Sequence, residues 1–404
     1  MTMVNFWKRL PIIVLAIIIG FAFFACDEDD DIDVSLYIPD LVREHIISPG
    51  HAALQTFTDT TAAQLVANIG IGWNLGNTFD AHTSSAPWPP TTNQSVEALE
   101  RLWMGHWSNY TTTEANIAAI KNAGFNTIRI PVTWYKVVNA DYVIREDWLA
   151  RVAQVINLAE ANGMYVIINT HHDERIFKLT KNGVHESLRA FGIIWSQIAH
   201  QFRNYNDRLI FEALNEPRTI GAGHEWIGNP TEYAYLNKHY ELFVNIVRES
   251  GGNNDRRILM LNTYAASASQ QAMNGLKIPS DPGGSNRIIV SIHAYEPFDY
   301  AHGDLSVSPP PNVDWTPGAI NGVMTRANST FISKGYPVII GEFGARQERH
   351  DTVRAREWAA YYVGEAKKRG IKCIWWDDGG RFSIFDRSTN IFHPQMLEAL
   401  MGAK

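Results

Sequence analysis

The segment Leu-Ile-Phe-Glu-Ala-Leu-Asn-Glu-Pro, residues 209–217, decides the fold. It begins with the apolar run Leu209–Leu214, which shows no alternation of apolar and polar residues, and continues directly into Asn215 and Glu216. A short run of this kind is typical of a strand that is buried on both faces of a parallel sheet. Polar residues directly after such a strand are expected at the carboxyl edge of the sheet, where α/β proteins bind their ligands.

Seven further runs of the same kind occur along the chain. They are Ile69–Leu75, Thr127–Val132, Tyr165–Asn169, Ile258–Asn262, Ile288–Ile292, Val338–Gly341 and Lys372–Trp376. Amphipathic stretches of helical period lie between them, at Thr113–Ala123, Glu146–Asn162, Leu188–Arg203, Thr231–Glu249, Gly318–Lys334 and Val353–Arg369. Eight strands that alternate with helices predict an α/β protein with one (β/α)₈ TIM barrel and loop insertions.

A doubly wound open sheet is the competing fold. The segment Gly70–Gly76 contains three glycines and superficially resembles a phosphate-binding loop. However, these glycines lie within and after an apolar run, and a proline-rich loop follows them where a nucleotide-binding fold needs a helix. The sequence therefore argues against a bound nucleotide, and no cofactor is expected.

Composition excludes one class of partner and favours another. The formal net charge is −7 and no dense block of Lys or Arg occurs, which argues against binding to nucleic acid. The chain has 13 Trp and 15 Tyr, more than a core of this size needs. Aromatic rings stack on the apolar faces of sugars, so this content favours a carbohydrate partner.

The first residues have the pattern of an export signal. Lys8 and Arg9 precede an apolar run, residues 12–25, that ends at Cys26 and is too short to span a bilayer comfortably. Residues 23–26 resemble a bacterial lipobox, which predicts lipidation of Cys26; an uncleaved signal anchor is the alternative. We therefore predict a signal peptide at 1–25, an acidic tether at 26–58 with one short helix near 39–47, and the catalytic domain at 59–404. The signal peptide and the lipidated cysteine predict that the protein is secreted across the inner membrane and held by a lipid anchor at the cell envelope or cell surface.

Carboxylates follow two of the predicted strands that lie on opposite sides of the barrel mouth. Glu216 follows the fourth strand and Glu342 follows the seventh. A single carboxylate at a strand end often only caps the next helix. Two that face a shared cleft are what the cleavage of a glycosidic bond requires, because one protonates the leaving oxygen and the other stabilises or attacks the sugar carbon.

Several ordered motifs resemble those of glycoside hydrolase family 5, the cellulase family. They are residues 72–78 (GWNLGNT), 129–131 (RIP), 171–172 (HH), 209–217 (LIFEALNEP), 293–295 (HAY), 340–344 (IGEFG) and 375–377 (WWD). Their detail is most similar to the broad endoglucanases that act on β-glucans and xyloglucan. The resemblance implies that Glu216 is the acid/base and Glu342 the nucleophile of a retaining endo-β-1,4-glucanase.

The same resemblance, together with the positions at strand ends, assigns supporting or substrate-binding roles to other polar and aromatic residues. They are Asn77, Arg129, His171, His172, Asn215, His293, Tyr295 and Trp376. We expect Arg129 and Tyr295 to hold Glu342, burial or the charge of Glu342 to raise the pKa of Glu216 so that it keeps a proton, and Trp376 to stack on a sugar. In the resembled family the peptide after Trp376 is cis, which is the expectation here too.

Three alternatives remain open from the sequence. A mannanase or a xyloglucan-specific enzyme would use the same barrel, and a surface lipoprotein that only binds glycans would have lost catalysis. A metal-dependent hydrolase would use the histidines, but adjacent strand residues such as His171 and His172 point to opposite faces, so no metal is expected. A monomer is expected. The second cysteine, Cys373, lies in an apolar run and is interpreted as a buried free thiol.

Overall fold

The computed structural model describes residues 32–40, 54–82, 94–101, 110–284, 286–307, 312–349 and 351–403. The predicted signal peptide, Cys26 and most of the short helix near 39–47 lie outside these residues. Among the residues described, no helix combines the length and the apolar character that crossing a membrane would require.

Eight parallel strands close into one barrel in chain order, which confirms the predicted fold and excludes the open sheet. The strands are β1 (Gly72–Leu75), β2 (Thr127–Ile130), β3 (Tyr165–Asn169), β4 (Leu209–Glu212), β5 (Leu259–Ser267), β6 (Ile288–His293), β7 (Val338–Phe343) and β8 (Lys372–Asp377). Each overlaps one of the eight apolar runs. A small antiparallel pair, β9 (Phe385–Asp386) and β10 (Ile391–Phe392), follows β8.

Helices surround the barrel, and the six amphipathic stretches are all helical. The described helices are α1 (Ala62–Asn68), α2 (Val96–Arg101), α3 (Glu114–Asn122), α4 (Glu146–Ala161), α5 (Val184–Phe202), α6 (Pro230–Glu249), α7 (Gln270–Gly275), α8 (Phe298–Ala301), α9 (Pro317–Thr330), α10 (Val353–Lys368) and α11 (Pro394–Gly402). Short 3₁₀ turns occur at Val34–Tyr37, Tyr135–Val137, Gly252–Asp255, Ile332–Lys334 and Gln347–Arg349. Local chemistry sets several starts: α6, for example, has Asn229 as its N-cap and Pro230 in its first turn.

The barrel interior is built in layers because alternate residues of a strand point to the same face. The lower layer is apolar and contains Ile167, Ile210, Met260, Ile289, Ile339 and Ile374, which form one cluster with Leu65 and Val66 of α1. Helix α1 therefore closes the amino-terminal end of the barrel. Two residues further along the same strands stand Asn169, Glu212, Asn262, Ser291, Gly341 and Trp376. The interior thus changes from apolar to polar towards the carboxyl ends of the strands.

Part of the segment predicted as a tether packs on the barrel. Val34 is buried, and the turn Val34–Tyr37 contacts α5 and α6. The hydroxyl of Tyr37 hydrogen-bonds to Nδ1 of His185. Gly192 of α5 makes this contact feasible, since a Cβ at that position would collide with the carbonyl oxygen of Tyr37.

Candidate active site

The two predicted catalytic glutamates lie side by side at the mouth of the barrel. Glu216 follows β4 and Glu342 belongs to β7. Carboxylate oxygens of the two residues and a ring nitrogen of His293 all lie within 4.8 Å of one another. Retaining glycosidases place their carboxyl groups about 5–5.5 Å apart, whereas inverting enzymes leave about 6.5–9.5 Å for a water molecule. Oxygens this close leave less room for an intervening water molecule than an inverting pair needs.

Arg129 connects the polar groups beneath this pair. Its Nη1 donates to Oε1 of Glu342 at 2.9 Å and to Oδ1 of Asn74 at 3.0 Å. Its Nη2 donates to Oδ1 of Asn215 at 2.8 Å. The guanidinium is fully buried, so its charge-assisted hydrogen bonds hold the carboxylate of Glu342 and the side chain of Asn215 in one orientation.

A third carboxylate, that of the fully buried Glu212, lies one layer deeper and was assigned no role from the sequence. It accepts a hydrogen bond from Nε of Arg129 at 2.6 Å, and it also accepts from Asn169, Asn262 and Ser291 at 2.9–3.1 Å. The sequence does contain an indication of its role, since Glu212 is a charged residue inside an apolar run. A charge buried in such a strand requires a partner of opposite charge. Glu212 and Arg129 form a fully buried ion pair that supports the site from below.

The surroundings of Glu216 overturn one expectation. Burial raises the pKa of this carboxyl, but a 2.9 Å hydrogen bond from Nδ1 of His293 and the charges of His293, Arg218 and His172 outweigh it and lower the pKa to about 2. The expected rise was wrong because it counted burial and Glu342 but not these cationic neighbours. Arg218, two residues after Glu216, contacts its Oε2 at 3.2 Å.

Tyr295 and His293 both reach the catalytic pair from the end of β6. The Tyr295 hydroxyl donates to Oε2 of Glu342 at 2.9 Å, as expected. Burial raises the pKa of Tyr295 well above its ordinary value, so the hydroxyl stays a donor. Nδ1 of His293 lies 3.6 Å from Oε2 of Glu342, and within the described part of the chain its Nε2 has no hydrogen-bond partner.

The two adjacent histidines do not point apart, which corrects the reasoning from strand geometry. Strand β3 ends at Asn169, so His171 and His172 lie in the following loop, where their rings are 4.4 Å apart. Together with Asp80 they bring possible ligand atoms within 4.8 Å of one another. In the assigned orientation, however, Nδ2 of Asn169 donates to Nδ1 of His171, so the proton sits on Nε2, which faces Asp80 at 3.8 Å. This arrangement fits hydrogen bonding.

The two tryptophans at the end of β8 lie in different environments, as expected. Trp375 is fully buried and donates from Nε1 to the carbonyl of Phe382. Trp376 lines the cleft, and its ring is parallel to that of His171 at 5.9 Å. The expectation of a cis peptide after Trp376 is wrong, because the cis peptide found in the described residues joins Glu296 and Pro297.

Asn77 has a different position from the other predicted residues. It adopts a left-handed conformation with φ of 52°, and its backbone N–H donates to Asp80. It is not among the residues that line the cleft with the two glutamates, and a role in binding substrate stays a prediction. Asn74, two residues into β1, is the side chain of that strand that reaches Arg129.

The cleft above the glutamates has a volume of about 730 Å³. It is lined by His171, His172, Asn215, Glu216, His293, Tyr295, Glu342 and Trp376 from the predicted set, and also by Trp226, Phe298 and Arg326. A volume in the range of about 300–1,000 Å³ with a few convergent polar groups is typical of a site for small molecules or short polymer segments.

Comparison with known sequences assigns this architecture to a family. The family model Cellulase (glycosyl hydrolase family 5) matches residues 84–381. Endoglucanase A of Clostridium longisporum is 37% identical over 365 residues, which cover 88% of this chain and 68% of that protein. Endoglucanase B of Neocallimastix patriciarum is 37% identical over 356 residues, which cover 84% of this chain and 71% of that protein.

Solved structures agree with this assignment. A GH5-4 broad-specificity endoglucanase from Ruminococcus champanellensis with bound cellotriose aligns with a TM-score of 0.78 at 37% identity, over 86% of this chain and 100% of the other. A glycoside hydrolase 5 lichenase from a Caldicellulosiruptor species, in complex with cellotetraose, aligns with a TM-score of 0.77 at 37% identity, over 89% and 100%. The chain belongs to glycoside hydrolase family 5.

Proposed function

We propose that the protein is a retaining endo-β-1,4-glucanase that hydrolyses β-glucan-type polysaccharides, including cellulose derivatives, mixed-linkage glucan and xyloglucan. The observation that supports this most strongly is the pair Glu216 and Glu342, with oxygens within 4.8 Å at the mouth of a family 5 barrel. The names of similar proteins, endoglucanases and a lichenase, favour this substrate class.

Glu342 is the nucleophile in this proposal. Its oxygen attacks the anomeric carbon and forms a glycosyl ester while the bond to the leaving oxygen breaks. Arg129 and Tyr295 each hold one oxygen of Glu342 at 2.9 Å, so the carboxylate is fixed in direction before substrate arrives.

Glu216 delivers the proton to the leaving oxygen. Without substrate, His293 and Arg218 favour its ionised form. A bound sugar chain excludes water, and a drier site favours an uncharged carboxylic acid and imidazole over an ion pair. In this uncharged form Glu216 donates its proton to the leaving oxygen. Formation of the ester removes the charge of Glu342, and Glu216 next accepts a proton from the water that hydrolyses the ester.

Two measurements test the mechanism. Glu342→Ala should abolish turnover of a soluble β-glucan while the thermal unfolding of the variant stays cooperative. Proton NMR of the first product formed from cellotetraose should show the β-anomer before mutarotation. Near-normal turnover by Glu342→Ala, or an α-anomer formed first, would contradict the proposed mechanism.

The polymer is tested by a panel of substrates. Release of reducing ends from carboxymethylcellulose, lichenan, xyloglucan, mannan and xylan separates a broad glucanase from a mannanase or a xyloglucan-specific enzyme. A protein that binds these glycans without releasing reducing ends would be a binding lipoprotein instead. Unchanged activity in excess EDTA is expected, and loss of activity that a divalent metal restores would favour the metal-dependent alternative.

We further propose that the protein is exported as a lipoprotein and acts as a monomer at the cell envelope or cell surface. Support comes from Lys8 and Arg9, the apolar run that follows them, and Cys26 with the acidic residues 27–31. Incorporation of labelled palmitate into the wild-type protein, and none into Cys26→Ser, is the expected result. Label in both proteins would contradict lipidation at Cys26, and sedimentation of the soluble domain as a dimer would contradict the monomer.

A further inference from the structure

Residues 32–38, called the docked segment below, belong to the folded domain although they come well before β1. Val34 is only 3% exposed, and the turn that it begins contacts both α5 and α6. Three further apolar side chains of the segment are partly buried against the main hydrophobic core, namely Ile32, Tyr37 and Ile38. Burial of these side chains favours the bound position of the segment over a free chain.

The contact with α5 has a defined geometry. The hydroxyl of Tyr37 hydrogen-bonds to Nδ1 of His185, and the two rings are stacked with their centres 6.2 Å apart. The backbone of Tyr37 approaches α5 closely because Gly192 has no side chain. The docked segment is therefore held at one place on the barrel by apolar burial, a hydrogen bond and a close backbone approach.

Topology places the docked segment on one side wall of the barrel. Helix α5 follows β3, and α6 follows β4. In a closed barrel of eight strands in chain order, β7 and β8 lie opposite these two strands. Helix α10, which follows β7, therefore lies on the opposite wall. The catalytic glutamates belong to neither wall, since they lie at the mouth of the barrel.

The docked segment limits how far the barrel can lie from a lipid on Cys26. A chain spans at most about 3.6 Å per residue, so the six steps from Cys26 to Ile32 reach no more than about 22 Å. A compact domain of this length is about 50 Å across. The wall formed by α10 therefore cannot approach the anchor while the segment is docked. Without docking, the chain from Cys26 to Gln55 could reach about 100 Å, which would leave the barrel free to turn.

We propose that the docked segment orients the barrel on the membrane, with the wall formed by α5 and α6 facing the lipid surface. This inference rests on the proposed lipidation of Cys26. Because the cleft lies at one end of the barrel and the docked segment on its side, the cleft then opens along the membrane surface. In that orientation it is accessible to polymer chains held close to the cell.

The test measures which wall is nearer to the bilayer. The full-length lipidated protein is placed in phosphatidylcholine vesicles that contain a lipid with an acceptor dye. A donor dye is attached in Glu186→Cys, at the start of α5, or in Glu357→Cys, in α10; the two wild-type side chains are 56% and 51% exposed. The native Cys373 is buried. Energy transfer to the lipid dye should be more efficient from position 186 than from position 357.

Variants of the docked segment separate docking from mere attachment. Val34→Asp puts a charge into the buried position, and Tyr37→Ala removes the contact with His185, so in each variant the two dye positions should give equal transfer. Leu36→Ala is the matched control, because Leu36 lies in the same turn but is 79% exposed, and it should keep the wild-type difference. The kcat on a soluble β-glucan should equal the wild-type value in all three variants, which shows that the barrel is folded.

The outcomes distinguish orientation from lipidation and from catalysis. Equal transfer from the two positions in the otherwise wild-type protein overturns the orientation. A difference that persists in both Val34→Asp and Tyr37→Ala also overturns it, because docking is then not its cause. If the wild-type protein does not associate with the vesicles, lipidation at Cys26 fails and the inference fails with it, while the proposed glucanase activity stands.

Discussion

Replacing the buried carboxylate Glu212 by its amide should slow catalysis although Glu212 touches no substrate. Glu212→Gln keeps the shape of the side chain and removes its charge. The oxygen that remains can keep the hydrogen bond from Arg129, at 2.6 Å in the wild type. In the wild type Asn262 donates to Glu212, and Oδ1 of Asn262 has no hydrogen-bond partner among the described residues. If the side-chain amide of Asn262 rotates by half a turn, this Oδ1 can accept a hydrogen bond from the new amide of Glu212→Gln.

The magnitude follows from the kind of bond that changes. A hydrogen bond to a charged group contributes about 1.5–3 kcal/mol, about twice that of a neutral one, so Glu212→Gln should lower the free energy of unfolding by about 1.5 kcal/mol. Glu212→Ala leaves the guanidinium of Arg129 without its partner and should cost about 3–5 kcal/mol. A displacement of Arg129 by about 1 Å would misplace both Glu342 and Asn215, and such errors lower kcat by up to about 100-fold. We expect a fall in kcat of about 10- to 100-fold for Glu212→Gln.

The assay is kcat on β-cellobiosyl fluoride together with urea unfolding at pH 7. Asp281→Asn is the matched control, because Asp281 forms a buried ion pair with Arg248 at 2.7 Å without contacting the active-site groups. It should lose a similar amount of stability and keep its kcat. A kcat of Glu212→Gln within twofold of the wild type, or an equal loss of kcat in Asp281→Asn, would refute the idea that Glu212 positions Arg129.

Three further predictions use other parts of the molecule. Trp376→Ala removes the proposed stacking surface and should lower kcat/KM on lichenan by about tenfold or more; an unchanged value would contradict its contact with sugar. Gly192→Ala places a Cβ against the carbonyl oxygen of Tyr37 and should speed chymotrypsin cleavage near residue 37. Gly364→Ala is the control and should not speed this cleavage, because the added Cβ meets nothing within 4 Å. Equal cleavage rates in the two variants would show that the turn at Val34–Tyr37 does not need the glycine. The pKa of Glu216 is lowered from 4.5 to about 2 in the folded protein, so its ionised form stabilises the fold. This contribution is present above about pH 4.5 and is lost as the pH falls towards 2, and it amounts to at most about 3 kcal/mol of unfolding free energy. Between pH 5 and pH 2 the wild type should therefore lose more unfolding free energy than Glu216→Gln, as measured by urea titration, and parallel losses would contradict the lowered pKa.

The barrel was predictable from the sequence because its strands are buried on both faces. Runs such as Leu209–Leu214 and Tyr165–Asn169 lack alternation, and their regular spacing with amphipathic helices leaves one fold. The contacts of Arg129 and Tyr295 with Glu342 were also predictable, since an ionised carboxylate at a strand end needs donors nearby.

The unpredicted features depend on contacts between distant segments or on where a strand stops. The position of Glu212 beneath Arg129 joins β4 to β2, and a lowered pKa at Glu216 requires His293 to reach it from β6. His171 and His172 face the same cleft because β3 ends before them, so the alternation rule no longer applies. None of these facts follows from the period of a single segment.

In the proposed mechanism Glu342 is the nucleophile of a retaining reaction. Incubation with a 2-deoxy-2-fluoro-β-cellobioside that carries a good leaving group should trap the glycosyl ester. Fluorine at C2 slows both the formation and the hydrolysis of the ester, whereas the good leaving group speeds only its formation, so the ester accumulates. Peptide mass spectrometry should then find the added mass of the fluorinated disaccharide on Glu342, and Glu342→Ala should remain unlabelled. Label on another residue, or turnover of the natural substrate with inversion and no adduct, would contradict the account.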